Sequence, residues 1–163
     1  MKVDRFGGAL YPRAALPFSN IAIIGAGAYG TALAHVAAQG RTHVTLWARN
    51  PDHAEELNKA GRNERYHPEV DLAPKLRATA DLADALSRAE AALLVVPSRA
   101  VRDMSQAMRK VIPDGIPITV CAKGIEADTG FLMSQIVEDE LPGHPVGALS
   151  GPTFASELAL GHP

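Results

Sequence analysis

Ile21-Ala22-Ile23-Ile24-Gly25-Ala26-Gly27-Ala28-Tyr29-Gly30 is the stretch that decides the fold class. Its first four residues are a continuous apolar run, as expected of a strand buried on both faces. A Gly-x-Gly-x-x-Gly pattern ends the run, and an Ala-rich segment with Leu33, Val36 and Ala37 at helical spacing follows. Glycine triplets arise easily by chance; the strand before and the helix after make this one informative. Gly25 permits a tight turn, Gly27 removes the Cβ that would block a pyrophosphate, and Gly30 lets the helix pack close to the strand. Exposed N–H groups and the helix dipole then favour a doubly charged pyrophosphate at that end. The blander reading is a strand–helix turn that merely needs glycine.

Outward from this turn the signals alternate. Further strands are expected at 44–47, 91–96, 116–121 and 146–149, with Pro117 limiting pairing at its end of the fourth. Helices are expected from Asn50-Pro51, from Asp81, along the stripe Val101, Met104, Met108 and Val111, from Asp128 or Thr129, and over 154–160. Residues 61–74 read as a long surface loop. Strands alternating with helices mean βαβ units. The fold class is therefore α/β, a Rossmann-type doubly wound, mainly parallel sheet with helices on both faces. Residues 1–19 read as an irregular leader and 20–163 as the dinucleotide-binding domain. The ending Gly161-His162-Pro163, with nothing further to pack the last helix, reads as a cut rather than a natural terminus.

Composition removes other classes. The 163 residues suit one domain, which buries about 70% of the surface of its unfolded chain. A content of 47% hydrophobic and 21% charged residues excludes disorder and fibrous repeats. The net charge of −2, with Lys and Arg spread along the chain, supplies no basic stripe for nucleic acid. No apolar run approaches the roughly 18 residues of a membrane span. Cys121, the single cysteine, excludes an internal disulfide; with no secretory signal over Met1 to Asn20, the cytoplasm is the expected location. No two histidines show the i, i+4 spacing of a zinc helix, so no metal is expected and the six read as structural or surface residues. Glu55-Glu56 and Glu138-Asp139-Glu140 read as solvated helix faces.

Ligands of open parallel sheets sit outside the carboxyl ends of the strands, and Gly25, Arg49, Pro97, Lys123 and Ser150 all follow expected strands. A carboxylate about 20 positions beyond the first glycine ordinarily bonds the adenosine ribose. Arg49 stands there instead. A carboxylate would repel a 2′-phosphate, whereas a guanidinium pairs with it or stacks on adenine. The expected cofactor is NADP(H) or NAD(H), with NADP(H) favoured. The alternative for Arg49 is a solvated arginine at a strand end, and Asn50 either donates to the ligand or caps the helix that Pro51 begins.

Four more segments accompany the turn: Trp47-Ala48-Arg49, Val96-Pro97-Ser98, Lys123-Gly124-Ile125-Glu126 and Leu149-Ser150-Gly151-Pro152-Thr153-Phe154-Ala155. Together, over residues 20–163, they closely resemble the N-terminal half of bacterial-type NAD(P)-dependent glycerol-3-phosphate dehydrogenase. The resemblance implies hydride transfer between nicotinamide C4 and C2 of dihydroxyacetone phosphate or glycerol 3-phosphate, in the supply of phospholipid precursors. It implies that Ala28, Tyr29, Arg49 and Tyr66 line the cofactor, that Lys123 and Ala155 touch cofactor or substrate near the nicotinamide, and that Gly151 and Thr153 meet the substrate. Two departures stand out. Ala28-Tyr29 replaces a frequent Ser-Trp, and Tyr66-His67-Pro68 matches the family's Tyr-Leu-Pro loop only loosely. Reducing a ketone needs positive charge or a proton donor at the developing alkoxide, and a positioned ammonium such as that of Lys123, the catalytic candidate, does both.

The resemblance also implies a helical second half, absent from this chain, carrying a second acid/base lysine and an Arg-Asn grip on the substrate phosphate. The domain alone should then bind dinucleotide with negligible turnover. A homodimer is the expectation for the full-length enzyme, and an apolar face left uncovered should promote association. Two other readings stand beside this one: a stand-alone NAD(P)-binding sensor, and a related hydroxyacid dehydrogenase. Lys123-Gly124-Ile125-Glu126 speaks against the sensor, which does not need it.

Overall fold

The computed structural model describes residues 18–161. The expected leader falls on residues 1–17, outside those described, and Phe18 and Ser19 already join the domain. Thr42 Oγ1 donates to the Phe18 carbonyl and His43 N–H to that of Ser19.

The apolar run is β1 (Asn20–Ile24) and the Ala-rich segment α1 (Ala28–Ala38). There follow β2 (His43–Trp47), α2 (Pro51–Ala60), β3 (Leu76–Thr79), α3 (Leu82–Leu86) and β4 (Ala91–Leu94). A short turn of 3-10 helix, Ser98–Ala100, leads into α4 (Val101–Arg109). The chain continues through β5 (Ile118–Val120), α5 (Met133–Glu140), β6 (Val146–Ala148) and α6 (Ala155–Ala159). All six strands are parallel, in the order β3-β2-β1-β4-β5-β6. The order reverses between β1 and β4, where doubly wound sheets open a crevice for ligands.

Alternate side chains of a strand point to opposite faces, which is why residues 21–24 of β1 are all apolar. Ala22 and Ile24 join one core with Leu86, Leu94, Met108 and Ile136. Ile23 joins the other with Ala34, Leu46 and Leu57. α1 and α2 thus cover one face while α3, α4 and α5 cover the other. Fully burying each isoleucine contributes about 1.5–3 kcal/mol, so this strand anchors both layers. α6 packs beside α1 through Ala32, Val70 and Ala159.

Three local expectations need correction. β3 is an edge strand that no sequence signal marked, because Leu76-Arg77-Ala78-Thr79 is short and weakly patterned. Its outer side is held by an amide rather than a neighbour: Asn58 Nδ2 donates to the Ala78 carbonyl (2.9 Å) and Asn58 Oδ1 accepts from Ala78 N–H (2.8 Å). Satisfying both groups removes a pairing edge. Neither Asp128 nor Thr129 caps α5. That helix begins later, with Leu132 N–H taken by Gln135 Oε1 (2.9 Å), because the preceding loop closes on itself through Glu126 N–H to the Phe131 carbonyl. Strands 91–96 and 116–121 are trimmed to 91–94 and 118–120.

Candidate functional site

Each glycine of the turn has its own geometry. Gly25 adopts φ +125°, and a Cβ there would collide with the Val95 carbonyl oxygen of the next strand's exit. A Cβ on Gly30 would collide with the carbonyl oxygen of Gly25, so α1 approaches β1 closely only because both are glycine. Gly27 differs. Its φ of −75° suits any residue, and nothing lies within 4 Å of where its Cβ would be. The protein makes no use of that space. The first intrahelical bond is Thr31 N–H to the Gly27 carbonyl (2.9 Å), which leaves the N–H groups of Ala28, Tyr29 and Gly30 without helical acceptors. An open cradle with free donors at a helix N-terminus fits a pyrophosphate.

The loop after α2 seats against this turn. Gly61 ends α2 in the left-handed conformation (φ +64°), and an antiparallel bridge joins Asn63 to His67. Asn63 and His67 are buried, whereas Tyr66 between them is exposed, its ring tilted near His53 and beneath the Arg65 guanidinium at 5.5 Å. Asn63 and His67, on either side of Tyr66, are the residues of this loop that touch the glycine turn. The far end is held by His35 of α1, whose Nδ1 accepts from Ala73 N–H (3.1 Å). His35 and His67 are both buried rather than at the surface. Burial pushes the His35 pKa below its ordinary value, and the nearby His67 ring adds to the effect.

A pH dependence follows. The unfolded chain takes up a proton near the ordinary histidine pKa of 6.5, and the folded state resists it. Stability is fully present above that pKa and declines as pH falls from it towards the lower folded value. Thermal unfolding of the wild type should therefore show Tm dropping between about pH 7 and pH 5, with a shallower slope in His35→Gln. An identical slope in the variant would assign the effect to other groups.

Arg49 stands exposed at the exit of β2 and forms no ion pair among the described residues. Asn50 Oδ1 accepts from Asp52 N–H (2.8 Å), so its carbonyl oxygen caps α2. At the exits of the later strands, Lys123 Nζ donates to the Gly151 carbonyl (3.3 Å), drawing the loops after β5 and β6 together. The exit of β4 meets them as well, since Gly124 (φ +142°) leaves room for Ser98 beside Pro97. Thr153 is half-buried near Gly151, and Ala155 opens α6 against the flank of α1.

Sequence reading missed what steadies the Lys123 loop. Arg102 of α4 forms a two-point contact with Glu126 (Nε to Oε1 2.8 Å, Nη2 to Oε2 2.7 Å) and reaches Asp139 (2.9 Å) and Glu140 (2.6 Å) through Nη1. The Thr129 hydroxyl donates to Glu126 Oε2 at 2.6 Å. These donors hold the Glu126 pKa down to about 2, the Arg102 contact contributing most. Arg109 and Gln106 also reach Glu140, which is buried. The expectation of a solvated face at Glu138-Asp139-Glu140 therefore fails for Glu140, because Arg102 and Arg109 of α4 pack across it; Glu138 and Asp139 stay exposed. Lone spacing in sequence carried no sign of that cross-helix pairing. Cys121, adjoining the loop, has its thiol pushed up to about 11 by burial and stays protonated at neutral pH.

Cavity size does not point to this face. A hollow of about 600 Å³ lies at the opposite ends of the strands, lined by Asn20, His43, Lys75, Arg77 and Arg88 among others. It contains none of the expected site residues, and its Arg77 is already paired with Asp84 (2.7 Å). Among the described residues no helix is long and apolar enough to cross a membrane.

The family described as NAD-dependent glycerol-3-phosphate dehydrogenase N-terminus has a sequence model that matches residues 20–163. The chain belongs to this family. The glycerol-3-phosphate dehydrogenase (NAD(P)+) of Rhodospirillum rubrum is 46% identical over 144 residues, 88% of this chain and 41% of the relative. The crystal structure of glycerol-3-phosphate dehydrogenase from Coxiella burnetii matches with a TM-score of 0.82 at 35% identity, over 87% of this chain and 43% of that one. The Saccharomyces cerevisiae enzyme matches with a TM-score of 0.78 at 25% identity, over 90% and 45%. The chain thus spans less than half the length of these relatives. The family and the Rossmann-type fold expected from the glycine turn and the late strand motifs are those found.

Proposed function

We propose that this chain is the cofactor-binding domain of an oxidoreductase that interconverts glycerol 3-phosphate and dihydroxyacetone phosphate with NAD(P)(H), in the cytoplasm, for phospholipid synthesis. The observation that carries the reading is the convergence of Lys123 and Gly151 at the strand exits that also bear the glycine turn. A sensor needs the turn alone. In this reading Gly25, Gly27, Ala28, Tyr29 and Gly30 hold the pyrophosphate, and Arg49, Tyr66 and Pro97 line the rest of the cofactor. Ala155 borders the nicotinamide end, with Gly151 and Thr153 facing the substrate. The nicotinamide, when bound, supplies or accepts the hydride. Lys123 places its ammonium where negative charge develops on the substrate oxygen. Its hold on the Gly151 carbonyl sets the distance between cofactor-side and substrate-side loops.

The same reading favours NADP(H). An exposed guanidinium at the β2 exit contributes about 1.5–3 kcal/mol with a 2′-phosphate, partly screened because that end is open to water. NADPH should bind roughly tenfold or more tightly than NADH at low salt, with the gap narrowing as salt rises. Fluorescence titrations of the wild type and Arg49→Ala with both coenzymes test this. Arg49→Ala should weaken NADPH much more than NADH; equal losses would mean that Arg49 stacks on adenine and that coenzyme choice lies elsewhere.

A further inference from the structure

Two buried side chains grip the back of the glycine turn, and neither belongs to the site as read from sequence. Asn63, 1% exposed, donates from Nδ2 to Thr31 Oγ1 (2.8 Å) and at 3.5 Å to the Ala26 carbonyl. His67, 2% exposed, has Nε2 at 2.8 Å from the Ala28 carbonyl. A carbonyl only accepts, so Nε2 carries a proton. The Nδ1 atom is buried without a hydrogen-bond partner among the described residues; the Glu69 carboxylate stays 3.9 Å away. As core filling the ring is a poor choice. What it supplies is one directed donor.

The consequence follows from the planarity of the peptide. In a trans unit the carbonyl and the next residue's N–H point in opposite directions. Drawing the Ala26 carbonyl towards Asn63 turns Gly27 N–H away from the loop, and His67 adds a second donor to the Ala28 carbonyl, already directed along α1, and so steadies the peptide that carries Tyr29 N–H. We propose that Asn63 and His67 are positioning residues for the cofactor pyrophosphate, fixing the Gly27 and Tyr29 donors through the carbonyls behind them. This rests on the reading of the turn as a dinucleotide site. It also couples the loop that bears Tyr66 to the turn, so cofactor binding and loop order depend on each other.

The test uses the whole chain and three ligands: NADPH, ADP, and adenosine 2′-phosphate, which lacks a pyrophosphate. His67→Leu should weaken NADPH and ADP alike by about fivefold to tenfold, the effect of one directed hydrogen bond, and leave adenosine 2′-phosphate within about twofold. His67→Gln, which keeps an amide donor near the Nε2 position, should restore NADPH to within about twofold of the wild type. The proposal is overturned if a folded His67→Leu binds NADPH normally, if adenosine 2′-phosphate loses as much as ADP, or if glutamine rescues nothing. Should His67→Leu fail to fold by circular dichroism, His67→Met replaces it; failure of both to fold also overturns it, since the ring is then purely structural. A wild type that binds none of the three ligands sinks the dinucleotide reading itself, a separate and visible result.

Discussion

Gly27→Val abolishes dinucleotide binding while the domain keeps its fold. Nothing lies within 4 Å of the Cβ position, and the local backbone, at φ −75° and ψ −175°, is one that valine accepts. The branched side chain therefore meets no atom of the apo domain, costs it at most the roughly 1 kcal/mol by which glycine is preferred to valine at a helix N-cap, and occupies the cradle instead. Losing two or more charge-assisted hydrogen bonds to a pyrophosphate, at about 1.5–3 kcal/mol each, weakens NADPH by at least about a hundredfold. Calorimetry and circular dichroism on the same preparation check both halves. Near-normal affinity would discard the phosphate-turn assignment. The neighbouring substitution behaves oppositely: Gly30→Ala meets the Gly25 carbonyl and destabilises the domain before any ligand is present.

Lys123→Ala is expected to lower turnover of dihydroxyacetone phosphate by about two to four orders of magnitude, the usual effect of removing a positioned acid–base or charge-stabilising group. The measurement belongs on a protein of the relatives' full length carrying this domain, since the chain covers only 43% of the Coxiella burnetii structure. NADPH affinity should change far less than kcat, because the glycine turn and Arg49 lie at the exits of other strands. A kcat/KM within about threefold of the wild type would reduce Lys123 to a surface residue that happens to reach Gly151.

Much of the proposed site was legible because it sits at strand exits, and strand exits are marked locally. The β1 run, the glycine turn and the Ala-rich start of α1 are contiguous, so their chemistry is written in one window. Arg49 and Lys123 were found by the same logic, each being the polar residue at the end of an apolar run. The β3 edge was not legible: four residues with one large apolar side chain carry no period, and their partner Asn58 is some twenty positions away. The clamp of Asn63 and His67 was hidden for a related reason. Both fall in a stretch without hydrophobic rhythm, and a buried asparagine or histidine looks in sequence like any loop residue.

The amino-acid sequence alone determined the alternation of strand and helix, the doubly buried character of β1 and the place of the glycine turn between β1 and α1. These depend on neighbours within a few residues, where sterics and hydrophobic periodicity act directly. Tertiary structure alone decided which side chains stand behind the site. Arg102 reaches Glu126 across 24 positions, Asn63 reaches Thr31 across 32, and His67 reaches the Ala28 carbonyl across 39. Such pairings exist only after the sheet order has brought α4 beside α5 and folded the loop after α2 back onto α1. A buried polar group takes whichever partner that packing delivers, and no local pattern names it in advance.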